Sequence, residues 1–300
     1  MIECVPNVSE GQHHELLARV ARAVRSVPGA SLLDYSADPA HNRSVFTFAG
    51  DAPGLERAIV ALYDVVVPEV DLRTHRGVHP RLGAVDVVPF VPLDGSTMAD
   101  CVSLARRVGQ AVAERFHLPV FLYEEAASAP DRRSLSNLRR GGFEKLAARM
   151  ASGFLADFGP GQPHPSAGAS VIGARRLLVA FNVNLSTRRL DVADAIARAI
   201  RFSSGGLPCV KALGLPLDDR AIVQVSMNLT DYEQTSLTRA FAAVHDEAIR
   251  QGVKVLGTEI VGLLPRAALD RDAAYFPLLE NFRENLVLEN LLESIESAGE

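Results

Sequence analysis

Twice along this chain apolar residues recur in the order strand, helix, strand, strand, helix, strand, and no other feature of the sequence restricts the fold as much. The first run has a strand over 2–8, a helical face of Leu16, Leu17, Val20, Ala21, Val24 and Val27, and strands over 31–34 and 44–49. It closes with a second helical face of Leu55, Ala58, Ile59, Leu62 and Val66 and a strand over 85–91. The second run has strands over 177–185, 210–213, 222–229 and 253–263, with helices over 190–201 and 237–249. A helix over 102–116 and a strand over 119–123 lie between the runs, and Leu286, Leu288, Leu291 and Ile295 mark a terminal helix. The pattern predicts an α/β (α+β) protein of two ferredoxin-like βαββαβ subdomains, over 1–170 and 171–300, each a mainly antiparallel sheet with helices on one face. The Gly- and Pro-rich end of the intervening segment, residues 157–170, reads as the crossing between them.

Two strands of the second run alternate in an unusual way. Phe181, Val183 and Leu185 point one way while Asn182 and Asn184 point the other; Val223, Val225, Met227 and Leu229 oppose Gln224, Ser226 and Asn228. A solvated outer face is the ordinary fate of such a sheet, but it usually carries Lys, Glu and Thr. Uncharged amides in a row suit an enclosed polar surface with fixed hydrogen-bond partners, so these five residues are candidates to line a ligand cleft.

Composition removes several function classes. With 31 Lys and Arg against 36 Asp and Glu, no Trp and few aromatic residues, the chain lacks the basic excess and stacking platforms of a nucleic-acid binder. Cys4, Cys101 and Cys209 are far apart and form no CxxC pair, which speaks against a disulfide framework and for a reducing, cytoplasmic setting. The N-terminus has no basic region before an apolar stretch, and no apolar run approaches the ~18 residues that cross a bilayer.

The densest group of functional side chains lies in residues 73–90, RTHRGVHPRLGAVDVVPF, a loop leading into a strand. His75 and His79 have the four-residue spacing of zinc-binding helices, but Gly77 and Pro80 oppose a helix and no HExxH glutamate is present, so no metal is expected. A histidine held before a proline can act as a general acid or base near neutral pH, or serve only as a structural loop residue. His13, His14, His117 and His245 are read as structural. GxSxG, GxxxxGK[ST] and GxGxxG motifs are absent from the sequence.

Longer stretches carry a more specific signal. ECVPNVSEG (3–11), LLDYSADPAHNRSVFTFAG (32–50), HRGVHPRLGAVDVVPFVP (75–92), VFLYEEAA (120–127), DFGP (157–160), VIGARRLLVAFNVNL (171–185), QVSMNLTDYEQT (224–235) and EIVGLLP (259–265) follow one another in the order found in glutamate formimidoyltransferases, which the chain resembles over nearly its whole length. The resemblance implies transfer of a formimino group from N-formimino-L-glutamate to tetrahydrofolate in histidine breakdown, with tetrahydrofolate as co-substrate. It implies that His79 is the catalytic residue and that the stretch Gly159, Pro160, Gly161, Gln162, Pro163, His164, Pro165, Ser166, Ala167 and Gly168 contacts folate. It also implies two sheets facing a shared polar cleft or tunnel, and a homodimer. Ser36, where some members carry a second acid, and 162–167, which lack an aromatic found in animal enzymes, depart from the family pattern. The chain resembles the short bacterial type without the fused cyclodeaminase, which would then be a separate partner.

Arg43, Arg76 and Arg81 are candidates to hold substrate carboxylates, since a guanidinium matches a carboxylate in two bonds; solvated loop arginines are the plain alternative. Both implied substrates are polycarboxylates and the chain is acidic overall, so a local positive patch of Arg43, Arg73, Arg76 and Arg81 is expected around His79. Competing readings are formyl rather than formimino transfer, a non-catalytic folate-binding protein, and a duplicated RNA-binding module, which the charge and sparse aromatics disfavour.

Overall fold

The computed structural model of the chain describes residues 1–39, 41–77, 80–217 and 220–299, with eleven strands and eight α-helices among them. The chain forms two compact units, Met1–Arg175 and Arg176–Glu300.

The first unit runs β1 (Ile2–Cys4), β2 (Asn7–Val8), α1 (His14–Arg25), β3 (Ala30–Asp38), β4 (Arg43–Gly50), α2 (Ala52–Glu69), β5 (Val85–Pro92), α3 (Met98–Phe116), β6 (Val120–Glu124), α4 (Leu135–Leu138), α5 (Gly142–Ala151) and β7 (Ser170–Ala174). Its helices begin where side chains replace missing backbone partners. Asp51 accepts from the Gly54 amide at 2.6 Å at the start of α2, and Thr97 and Asp100 form a reciprocal capping box at the start of α3. The strand expected over 2–8 is broken at Val5 and Pro6, because a proline has no N–H for the ladder. Both pieces still lie between β4 and β5.

The sheet of this unit departs from the expected pattern. It has seven strands, with β3 beside β4, β1 and β2 end to end between β4 and β5, and then β7 and β6; β5 pairs with β7, and β6 with β7, in parallel. Parallel strands need cover on both faces. Phe46, Phe48, Leu62, Val88 and Phe90 pack with α1, α2 and α3, whereas Val87, Phe121, Tyr123 and Val171 pack with Leu138, Leu146 and Met150 of α4 and α5. Residues 157–170, expected as the crossing, therefore fall within the first unit, and the segment before them supplies the second cover.

The second unit runs β8 (Val179–Leu185), α6 (Leu190–Ile200), β9 (Val210–Leu217), β10 (Ile222–Leu229), α7 (Leu237–Arg250), β11 (Val255–Val261) and α8 (Leu288–Gly299). Its four strands lie in the order β11-β8-β10-β9, all antiparallel. The apolar residues of β8 and β10 form one core with Val192, Ile196, Phe241 and Val244, as the alternation predicts. Residues 262–287 return along β11. Glu280 N–H donates to Thr258 O at 2.9 Å, and the Asn281 amide accepts from Ile260 N–H and donates to Ile260 O. Asn281 thus stands in for a further strand at an edge that would otherwise leave backbone groups open.

Replacing Asn281 with Ala removes both of these bonds, and a loss of about 1–3 kcal/mol is expected in the unfolding of the second unit, read from the shift of its urea midpoint.

Candidate functional site

The loop between α2 and β5 is fixed at both ends by groups from distant parts of the chain. Asn42, with φ 48°, accepts from Gly11 N–H at 2.9 Å and donates to Arg76 O at 2.8 Å. Its carbonyl receives His75 Nε2–H at 2.9 Å. A carbonyl only accepts, so Nε2 carries the proton and Nδ1 of His75 is a buried acceptor without a partner among the described residues. Burial depresses the His75 pKa and the Arg81 charge adds to this, against the bond to Asn42. Gly77 is required here, since a Cβ would stand 2.4 Å from His41 O. Three of the long motifs, 3–11, 32–50 and 75–92, therefore converge on Asn42.

Val78 and His79 lie outside the described residues, but the chain is fixed again directly after them. Asp86, 1% exposed, accepts from Leu82 N–H at 2.6 Å and Gly83 N–H at 3.4 Å with one oxygen, and pairs with Arg139 through the other. Ser9 Oγ donates to Gly83 O at 2.7 Å. Arg81 donates to Glu144 at 2.9 Å and lies near the carbonyls of Leu72 and His75.

The 159–168 stretch joins the same assembly. Leu72 N–H donates to Ser166 O, Ala84 N–H to Ala167 O, and Ala169 N–H to Leu82 O, at 2.8 to 3.1 Å. Gly168, with φ 70°, approaches Leu82 O so closely that a Cβ would stand 2.1 Å away. His164 Nδ1 accepts from Ala167 N–H at 3.0 Å and holds the turn, with its own pKa lowered by burial and by the nearby His117. Gly159, Gly161, Gln162 and Pro165 are exposed, while Pro160, Pro163 and Ser166 are half-buried. Far from linking the units, the stretch is bonded to both flanks of the histidine loop.

The arginines form a smaller patch than their number suggests. Arg73 pairs with Asp71, Arg81 with Glu144, and Arg76 turns back to the carbonyls of Arg73 and His75. Arg43 is different: burial lowers its pKa, the neighbouring charge of Arg139 lowers it further, and Asp86 and Asp38 offset this. Arg43, Arg139, Asp86 and Asp38 thus form one group of interacting charges, two of each sign.

The amide candidates belong to the second unit. Gln224 Nε2 donates to Asn184 Oδ1 at 2.8 Å and to Glu259 at 3.2 Å, and Asn182 donates to Glu259 at 3.4 Å. Arg220 pairs with Glu280, which stands over Gly257 beside Asn184. Asn182, Asn184 and Gln224 are buried, Ser226 is half-buried and Asn228 is exposed, so the polar face is enclosed at one end only.

Sequence patterns do not single out three further groups. Asn42 and Asp86 sit inside the long motifs, but nothing in their spacing shows what they hold. The third is Glu3 on β1, 5% exposed, whose pKa burial pushes up to about 7 although the Arg175 charge draws it down. Among the described residues there is no group of three or more His, Cys, Asp or Glu placed to hold a metal ion, and no helix is long and apolar enough to cross a membrane.

Residues 1–175 match the family described as "Formiminotransferase domain, N-terminal subdomain", and residues 180–292 match "Formiminotransferase domain". The chain is 42% identical over 294 residues to a glutamate formimidoyltransferase of Streptococcus pyogenes serotype M1, covering 97% of this chain and 98% of the relative. It is 44% identical over 296 residues to one from Thermoplasma acidophilum, with 98% and 97% covered. A formimidoyltransferase-cyclodeaminase of Rattus norvegicus is 38% identical over 305 residues, covering 97% of this chain but 56% of the relative.

Two outcomes are expected. Asp86→Ala strands the nearly buried Arg139 and frees two loop amides, and destabilisation of about 3–5 kcal/mol is expected in urea titration. For Glu3, the folded pKa of about 7 lies above the ordinary value of 4.5, so the folded state holds a proton that the unfolded chain releases. Its favourable contribution is complete below pH 4.5 and is lost as pH rises through 7. Glu3→Gln removes that loss, and its stability relative to the parent protein is expected to rise by about 3 kcal/mol between pH 4 and pH 8.

Proposed function

Because the chain belongs to the formiminotransferase family, we infer that it transfers the formimino group of N-formimino-L-glutamate to tetrahydrofolate, giving 5-formiminotetrahydrofolate and L-glutamate. The observation that carries this reading is near-complete coverage, in both directions, by two glutamate formimidoyltransferases at 42% and 44% identity.

In the reaction N5 of tetrahydrofolate attacks the formimino carbon, and a tetrahedral intermediate forms. The bond from that carbon to the glutamate nitrogen then breaks, and the departing nitrogen takes up the proton that N5 gives up. His79 is the proposed carrier of that proton. The support is its place in the sequence between two fixed segments, one held through Asn42 and the other through Asp86. Folate contact is proposed for Gly159 through Gly168, and its support is the bonding of Ser166, Ala167 and Gly168 to the same loop. Arg43, Arg76 and Arg81 are proposed to hold substrate carboxylates, and the support is that Arg76 and Arg81 flank the loop and that Arg43 lies beside Asn42, which fixes it.

The second unit's βαββαβ order and antiparallel sheet support a ferredoxin-like unit, and its buried amides support a polar cleft lining. A homodimer in the cytoplasm, working beside a separate cyclodeaminase, completes the proposal.

The test is glutamate release by the purified protein given tetrahydrofolate and formiminoglutamate. His79→Ala is expected to lower the rate by about 10²–10⁴-fold with the fold intact by circular dichroism. Activity near the parent level would remove His79 from the mechanism, and preference for N-formylglutamate as donor would move the assignment to formyl transfer.

A further inference from the structure

The buried carboxylates of the first unit differ in one respect. Glu10 accepts from the amides of Gln12 and His13, and Asp86 from Leu82, Gly83 and Arg139. The Glu3 carboxylate accepts no hydrogen bond among the described residues, and only 5% of the residue is exposed. A buried carboxylate without donors is costly, and such a group calls for a partner that arrives from outside.

Its surroundings suit a ligand. Glu3 stands opposite Ala49 of β4 and Val91 of β5, short side chains that share its face. Arg175 follows the end of β7, and its charge acts on both Glu3 and Tyr123. The Tyr123 ring lies across Gly173, where a Cβ would be 2.4 Å from Cδ1, and Glu124 ends β6 with φ 51°. This is the carboxyl end of the parallel strands β5, β6 and β7, the end at which α/β sheets receive ligands.

We propose that Glu3 recognises the pyrimidine edge of tetrahydrofolate, accepting hydrogen bonds from its 2-amino group and its N3–H. The proposal rests on the folate-dependent reading above. The formimino amidinium of the donor substrate also offers two neighbouring N–H groups, and distance separates the two. From Val85, where the histidine loop ends, to Val91 beside Glu3 is six residues of strand, about 20 Å. An amidinium bound at Glu3 would hold the reacting carbon there, far from the loop that carries His79. A pterin bound by its pyrimidine edge carries N5 on its second ring, away from that contact, and so leaves the reacting atom free to lie nearer the loop.

Steady-state kinetics of Glu3→Gln test this. The KM for tetrahydrofolate is expected to rise about 10- to 100-fold, the loss of hydrogen bonds to a charged group. The KM for formiminoglutamate is expected to stay within about twofold. A tetrahydrofolate analogue with methyl in place of the 2-amino group should bind the parent protein poorly and Glu3→Gln no worse than tetrahydrofolate itself does, a signature that a merely structural role would not produce. A raised KM for formiminoglutamate alone, or no change in either KM, overturns the proposal. Should Glu3→Gln fail to fold, the parent protein's discrimination between the two folates decides: weaker binding of the methyl analogue supports the role of Glu3, and equal binding overturns it. If the parent protein releases no glutamate, the formimino reading fails by itself, and fluorescence titration of parent and Glu3→Gln with 5-formyltetrahydrofolate still decides the role of Glu3.

Discussion

A single buried carboxylate, that of Asp86, ties together the parts on which the candidate site depends. One oxygen holds the amides that follow the histidine loop; the other holds Arg139, at the end of the short helix α4. That helix belongs to the layer covering the second face of the parallel strands. The same ion pair therefore joins sheet, loop and covering layer. A buried pair of this kind adds little net stability over apolar packing, but losing either partner is costly, so it acts mainly to specify one arrangement.

Around this point the backbone supplies most of the connections. Residues 164–169 are bonded to 72–84 through main-chain groups and a glycine that permits close approach. Asn42 does the same for the other flank with one amide, adopting a left-handed backbone that asparagine tolerates better than most residues. Arg43 and Asp86 lie at the start of β4 and β5, and Glu3 stands at their other end. About 20 Å of strand separates the two ends.

Much of this architecture is legible in the amino-acid order. The helices and strands follow from apolar periodicity, because an element that buries one side must repeat its apolar residues at 3.6 or 2. In the second unit β8 and β10 obey that rule. The first unit is harder for a physical reason: strands such as β6, whose Val120 to Tyr123 are all buried, carry no alternation, so neither their parallel pairing nor the helices covering their second face can be read from period alone. Segment 126–168 has the glycines and prolines of a linker, yet Leu138, Leu146 and Met150 make it part of a core.

Family membership follows from the chain alone, through long motifs in fixed order, and so do the residue types on which the reaction depends, since these are properties read one position at a time. Which motifs meet is a matter of tertiary structure. Gly11, Asn42 and Arg76, or Leu82, Asp86 and Arg139, come together although no local periodicity relates them. The same is true of electrostatics. Arg81 and Arg43 look alike in sequence, but Glu144 pairs with the first, while burial and the charges of Arg139, Asp86 and Asp38 act on the second; Glu3 looks like any acid near a terminus until burial raises its pKa.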